Sequence, residues 1–282
     1  MVGLHLLEQV ANPAAFQLEY PLRLPATEER KGRRVVEREY YGHDQLLVVE
    51  LDGKPTLSHL LEGIEVRSIL APDALDEYLR DHGFGRVAKR LNRTGVIDIV
   101  GTAAPGIDDI VVLGKIKQLE RSGEFDTILV DGPAAGHAVT LLTSPAGLLD
   151  AVRGGPVHAQ AGEVLELLHD PERCRVVLVT LPEHTPVNEL IETALTIEDR
   201  AGVQLAAVVV NAVDTGPPVP DPHDVALAGP AESVSAAVAA AEYVRARRAD
   251  QAIELARVSE SVPLPLVVLP IADVPTLSEC LA

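Results

Sequence analysis

The sequence predicts an α/β fold in which a mostly parallel sheet carries helices on both faces. Three observations support this. Short, nearly continuous apolar runs of strand length recur along the chain, as strands buried on both faces require. Stretches of helical length alternate with them, several opened by proline or a capping residue and closed by glycine. A chain of 282 residues, 47% of them hydrophobic, also has ample material for a sizeable core. Strand and helix alternating at this spacing imply right-handed crossovers and parallel strands. Because α/β domains often exceed the usual domain length, one domain is expected overall.

The first 45 residues are the irregular part. PLRLP (Pro21–Pro25) is broken by prolines, and EERKGRRVVERE (Glu28–Glu39) mixes both charges. The mixed run reads as a solvated helix face or a loop. Its four glutamates, Glu28, Glu29, Glu37 and Glu39, offset the arginines of any basic docking patch. The regular pattern then begins with LLVVEL (Leu46–Leu51), a buried strand. A helix follows, with Pro72 and Asp73 at its start and Gly83 at its end. A second helix spans Pro105–Gly123 and leads into FDTILVD (Phe125–Asp131), a strand ending in an acid. Ser144 and Pro145 read as the N-cap and first position of a further helix. RVVLVTL (Arg175–Leu181) is a strand, Thr185–Gly202 a capped helix, and QLAAVVVN (Gln204–Asn211) a strand. Gly216–Asp224 is a loop, the alanine-rich stretch from Pro230 to about Val258 is one long helix or two, and LPLVVLP (Leu264–Pro270) is the last strand.

Charge and composition narrow the functions. A net charge of −18 and a pI of about 4.8 repel a phosphate backbone, so nucleic acid is not an expected partner, and an anionic membrane surface is disfavoured. No apolar run reaches membrane-spanning length, so an integral membrane protein is not expected. The start of the sequence lacks the basic-then-apolar pattern of a secretory signal. The two cysteines, Cys174 and Cys280, are far apart and form no C-x-x-C, which fits a reducing cytoplasm. Tryptophan is absent, with 3 Phe and 1 Met, leaving little for a methionine-rich groove.

Two acids stand where parallel sheets bind ligands, at the carboxyl ends of strands. Asp131 is followed by a small-residue turn and then Gly136 and His137. An acid there holds Mg²⁺ through its water shell in a nucleotide site, and small residues let backbone N–H groups approach a phosphate. The alternative is an acid that caps the next turn. Asp52, followed by Gly53, either orients or deprotonates an attacking water or forms an Asp-Gly turn.

Three stretches in order, FDTILVDGPAAGHAVTLLTSP, VTLPEHTPVNELIETA and VVVNAV, resemble the arsenical-pump and Get-type ATPase family. The similarity runs from about Leu46 to the C-terminus, and it lies nearest an actinobacterial-type branch of paired ATPases. It implies a P-loop NTPase-like fold of the SIMIBI type over residues 46–282, with ATP or ADP and Mg²⁺ as ligands. The family's second switch, D-T-x-P-T-G-H, is matched by Asp131, Gly136, His137, Leu141, Leu142 and Pro145, with Gly132 and Ala135 in place of threonines. The resemblance makes Asp131 the acid of the Mg²⁺ shell, placed through water. It makes Asp52 the water-activating acid of a first switch otherwise matched only at Leu57. Asn211 matches an adenine-contacting asparagine, and the turn after Pro270 would lie near the base. Glu183 and Glu189 match a helix start whose acids approach the partner subunit. The implied assembly is a homodimer, or a heterodimer with a related ATPase subunit.

The family's phosphate loop, K-G-G-x-G-K-[ST], is not in the sequence. Gly53-Lys54 and Gly114-Lys115 lack its spacing and read as ordinary turn or helix residues. Residues 1–45 form an atypical segment in its place, too poor in glycine to wrap phosphates with backbone N–H groups. No C-x-x-C zinc clasp or methionine-rich subdomain is present, which argues against targeting of tail-anchored proteins, and two distant cysteines argue against arsenite binding. Two functions stay in view. One is an ATPase whose N-terminus, as written, misrepresents the gene product. The other is a non-hydrolysing partner or scaffold. A dehydrogenase-like enzyme would need G-x-G-x-x-G after a strand, and none occurs.

Overall fold

The computed structural model describes residues 27–30, 33–36, 45–51, 57–59, 61, 63–83, 106–220 and 231–272. Two compact units are distinguished. Among the described residues the first holds 27–178 and 192–206, and the second 179–191 and 207–272.

The first unit opens with β1 (Thr27–Arg30) and β2 (Arg33–Val36), an antiparallel pair in register from Thr27 opposite Val36 to Arg30 opposite Arg33. The described parts of the mixed-charge run, 28–30 and 33–36, are therefore strand, where a helix face or loop was expected. Val35 and Val36 supply the β-branched content that favours extended backbone.

A parallel sheet follows, in the order β4-β3-β5, from β3 (Leu46–Glu50), β4 (Glu65–Ser68) and β5 (Thr127–Asp131). The central strand β3 has Leu47, Val48 and Val49 fully buried, as its unbroken apolar run predicts. Burying each such side chain contributes about 1.5–3 kcal/mol. Strand β4, short and with exposed ends, lacks that signature and was not predicted. Helices α1 (Ala71–Asp81), α2 (Ile107–Ser122), α3 (Ala135–Ala151) and α4 (Pro156–Leu168) flank the strands. Gly123 ends α2 in the left-handed conformation at φ 69°. Helix α2 buries Ile110, Leu113, Ile116 and Leu119, and its buried Lys117 donates to Glu163 Oε2 (2.6 Å) and Gln160 Oε1 (3.0 Å) of α4.

A second sheet runs β6-β7-β8, from β6 (Val176–Thr180), β7 (Leu205–Val213) and β8 (Leu266–Pro270), with β7 and β8 parallel. Helix α5 (His184–Thr196) continues as a wider turn over Ile197–Ala201 and stops at Gly202, φ 64°. The alanine-rich stretch is one helix, α6 (Ala231–Ser261). Parallel strands flanked by helices are thus the observed fold, of the P-loop NTPase-like class.

Helix α3 differs from its expected start. It begins at Ala135 and runs through Pro145, which lacks the N–H to bond the Leu141 carbonyl. The Ser144 hydroxyl donates to that carbonyl instead (3.0 Å). The Ser-Pro pair that reads as a helix start is here a repair within a helix.

Candidate functional site

Parallel register brings the carboxyl ends of three strands of the first unit together. Glu50 of β3 stands opposite Ser68 of β4 on one side and Asp131 of β5 on the other. The Leu51 N–H donates to the Asp131 carbonyl (3.3 Å), and the Ile69 N–H to the Glu50 carbonyl (2.9 Å). Glu50 is 2% exposed, and its Oε1 accepts from the Leu57 N–H (2.7 Å), so it braces the 3₁₀ turn Leu57–His59. Asp52 lies outside the described residues. Glu50 is thus the acid that the structure sets at this strand end. Sequence reading passed over it as part of an apolar run. Its signal is the cost of a buried carboxylate, which demands partners.

Asp131 is half-buried and leads through Gly132, Pro133 and Ala134 into α3. No side chain caps this helix. The His137 and Ala138 N–H groups both return to the Ala134 carbonyl (2.8 and 2.9 Å). Gly136 and His137 are exposed, and a Cβ on Gly136 would meet nothing within 4 Å. An uncapped helix start is a natural place for an anion, because its first N–H groups and its dipole point outward. Asp131, Gly132, Gly136 and His137 are therefore gathered at one strand-to-helix turn.

A further acid, missed in the sequence except as part of a helix start, adjoins that turn. Asp109 lies in the first turn of α2, and burial pushes its carboxyl above the usual range. A Ser144 hydrogen bond opposes that rise, neighbouring Asp108 adds to it, and His137 counters it. Gly106, at φ 87°, lets the chain enter α2 close to α3, since a Cβ there would stand 3.3 Å from the Ser144 Cβ.

The second unit holds Asn211 and Pro270. Strand β7 pairs with β8 regularly up to Val210 opposite Val268, then shifts so that Val213 meets Pro270. The irregularity is a bulge, and Ala212 within it has φ 57°, the only non-glycine residue with positive φ among the described residues. Alanine resists this conformation by about 1–2 kcal/mol. Such strain persists only where neighbours over-determine it, and it clusters at functional sites. Asn211, immediately before, is 5% exposed. Beyond the bulge the Ile271 N–H donates to the Val213 carbonyl (3.1 Å), leaving Pro270 buried and Ile271 exposed. Asp214 follows, and the Arg248 hydrogen bond (2.8 Å), with the Gly216 N–H, holds its carboxyl below the usual range.

Also in this unit, Glu183 and Glu189 are exposed near the start of α5. His184 beside them reaches Glu254 of α6 (3.2 Å), and Arg257 bonds Glu254 and Asn188, tying α5 to α6. Gly114 and Lys115 lie inside α2, where Lys115 pairs with Glu77, so this pair is not a phosphate loop.

Residues 45–153, from the start of β3 past the end of α3, match the model of the anion-transporting ATPase family. Over that stretch the chain resembles that family. It is 31% identical to the ATPase BagA of Mycobacterium tuberculosis over 198 residues, 60% of this chain and 57% of the relative, which agrees with the actinobacterial branch. It is 29% identical to the arsenical pump-driving ATPase of Escherichia coli over 167 residues, 55% of this chain and 27% of the relative. It therefore spans little more than half of BagA, and less of the other. The acid edge, Asp109 and the uncapped start of α3 all fall within the family-matched range, whereas Asn211 and Pro270 lie beyond it.

Proposed function

We propose that this chain binds an adenine nucleotide with Mg²⁺ and acts within a dimer, the family activity being ATP hydrolysis coupled to a change in how the subunits meet. The acid edge carries the proposal. Glu50 and Asp131 end neighbouring parallel strands, directly before an uncapped helix start. Two adjoining carboxylates alone repel a phosphate. A hard divalent cation between carboxylate and phosphate oxygens converts that repulsion into attraction. The donor set fits such an ion: Asp131 would hold it through water, and the first N–H groups of α3, at Ala135 and Gly136, would face phosphate oxygens, with Gly132 and His137 beside them. Mg²⁺ would neutralise charge on the transferring phosphoryl group. Asp52 is the proposed water-orienting acid. The carboxamide of Asn211 matches the N6 donor and N7 acceptor of adenine, a pair that guanine does not offer. Pro270 is assigned to the same base.

A specific observation favours a second reading, a non-hydrolysing partner subunit. No G-x-x-x-x-G-K-[ST] occurs, so no lysine of that loop serves the β- and γ-phosphates. The family match starting at residue 45 supports residues 1–45 as an atypical segment in place of that loop. The dimer is of two copies or with a related subunit, met through the exposed Glu183 and Glu189. The cytoplasm is the proposed compartment. Among the described residues no helix is long and apolar enough to cross a membrane.

Isothermal titration of the full chain with Mg·ADP and Mg·ATP tests both readings. Binding is expected, weakened about tenfold or more by Asp131→Asn when Mg²⁺ is present and little changed without it, about 1.4 kcal/mol or more. Absence of binding by the folded chain defeats the nucleotide reading. ATP turnover by this chain alone defeats the partner reading.

A further inference from the structure

We infer that Gln251 is a positioning residue for Asn211: its carboxamide clamps the β7 bulge in the left-handed turn at Ala212, and so fixes how Asn211 is presented to a base. The ligand, an adenine nucleotide, rests on the function proposed above. The clamp rests on geometry alone.

The bulge breaks the ladder between Val210 and Val213, so the backbone groups after Asn211 need other partners. Gln251 of α6 supplies two. Its Oε1 accepts from the Asp214 N–H (2.9 Å), and its Nε2 faces the Ala212 carbonyl (3.4 Å). One carboxamide thus bonds an acceptor and a donor on either side of Val213, directly after the strained residue, as a neighbouring strand would. Arg248, one turn earlier on α6, extends the hold with bonds to Asp214 Oδ1 (2.8 Å) and the Pro217 carbonyl (2.9 Å). Gln251 is 4% exposed on a helix rich in alanine and valine. An apolar residue would pack there without the cost of burying an amide, so the glutamine is explained by what it bonds. Without the clamp Ala212 is free to relax to ordinary extended backbone. Because side chains alternate along a strand, loss of the bulge exchanges the faces of the residues around it, Asn211 among them.

The test uses the full chain, with Mg·ADP and Mg·GDP titrations beside thermal melting. Gln251→Leu keeps the volume and removes both bonds. It is expected to weaken Mg·ADP binding about tenfold and to narrow the preference for ADP over GDP. Ala212→Gly added to Gln251→Leu is expected to restore most of the affinity, because glycine holds positive φ without a clamp. Unchanged binding by Gln251→Leu overturns the inference. So does a loss that Ala212→Gly fails to recover, since Gln251 would then act through packing. If the wild-type chain binds neither nucleotide, the proposed function fails, and melting still decides the clamp. Ala212→Gly must then raise the melting temperature more in wild type, where the clamp holds Ala212 at positive φ, than in the Gln251→Leu background, where Ala212 has already relaxed. Equal shifts overturn it.

Discussion

Asp109 shows how one half-buried carboxyl couples two helices. The start of α2 favours its ionised form by about 0.3–1 kcal/mol. Burial works against that form and prevails, because the carboxyl sits above its usual range. A carboxyl raised in the folded state adds stability while protonated. That contribution is complete below its unfolded value, about 3.9, and is lost as pH rises through the folded value. At neutral pH an ionised Asp109 therefore weighs against folding. Asp109→Asn keeps the shape and removes the charge. Its melting temperature should exceed that of wild type at pH 7, with the gain shrinking as pH falls toward 4. A gain that is the same at both pH values would rule out desolvation as its cause. The sequence marks Asp109 as an acid at a helix start. It cannot show that Ser144 and His137, both on α3, come to face it. Asp131, by contrast, was legible as a strand-end acid because the apolar run before it has an unambiguous end.

At the level of elements, continuous apolar runs were the reliable signal. Strands β3, β5, β6, β7 and β8 all lie where such runs predict them, to within a few residues at either end. The misreadings have particular causes. Strand β4 has no buried run of its own and borrows its order from β3. Helix α4 carried only Pro156 at its first position as a start signal. The bulge at Ala212 is set by pairing with β8 and by Gln251, neither of which local sequence reveals. The packing of α2 on α4 likewise depends on a contact that spacing alone does not show. A Cβ on Gly114 would stand 1.7 Å from Gln160 Nε2, so Gly114→Ala must push Gln160 away from buried Lys117. Alanine gains about 1 kcal/mol of helix propensity over glycine. The lost hydrogen bond to a charged group costs about 1.5–3 kcal/mol. Loss wins, and urea unfolding should show a net destabilisation of about 1 kcal/mol. In a Gln160→Ala background the same substitution should stabilise by about 1 kcal/mol. Destabilisation in both backgrounds would place the clash elsewhere.

For the whole molecule, the residues proposed to act on a nucleotide are divided between the two units. The first unit carries the acid edge and the uncapped α3, and the second carries the bulge with Asn211. Asp52 lies outside the described residues, so its proposed role rests on sequence alone. A ligand that binds only the folded chain stabilises it by mass action, and this tests the function without presupposing turnover. At a hundredfold excess over its dissociation constant, Mg·ADP should add about 2.7 kcal/mol. For a chain of this size that is a rise of about 5 °C or more in melting temperature. The rise should fall sharply with Asp131→Asn if Mg²⁺ is held at the acid edge. It should persist, reduced, with Asn211→Ala if phosphate and metal contacts dominate affinity and the carboxamide mainly chooses the base. A dimer that forms only with nucleotide would show a further sign. The melting temperature would then climb with protein concentration when Mg·ADP is present and stay constant without it. Light scattering that reports a monomer under both conditions would leave the nucleotide site standing and remove the dimer.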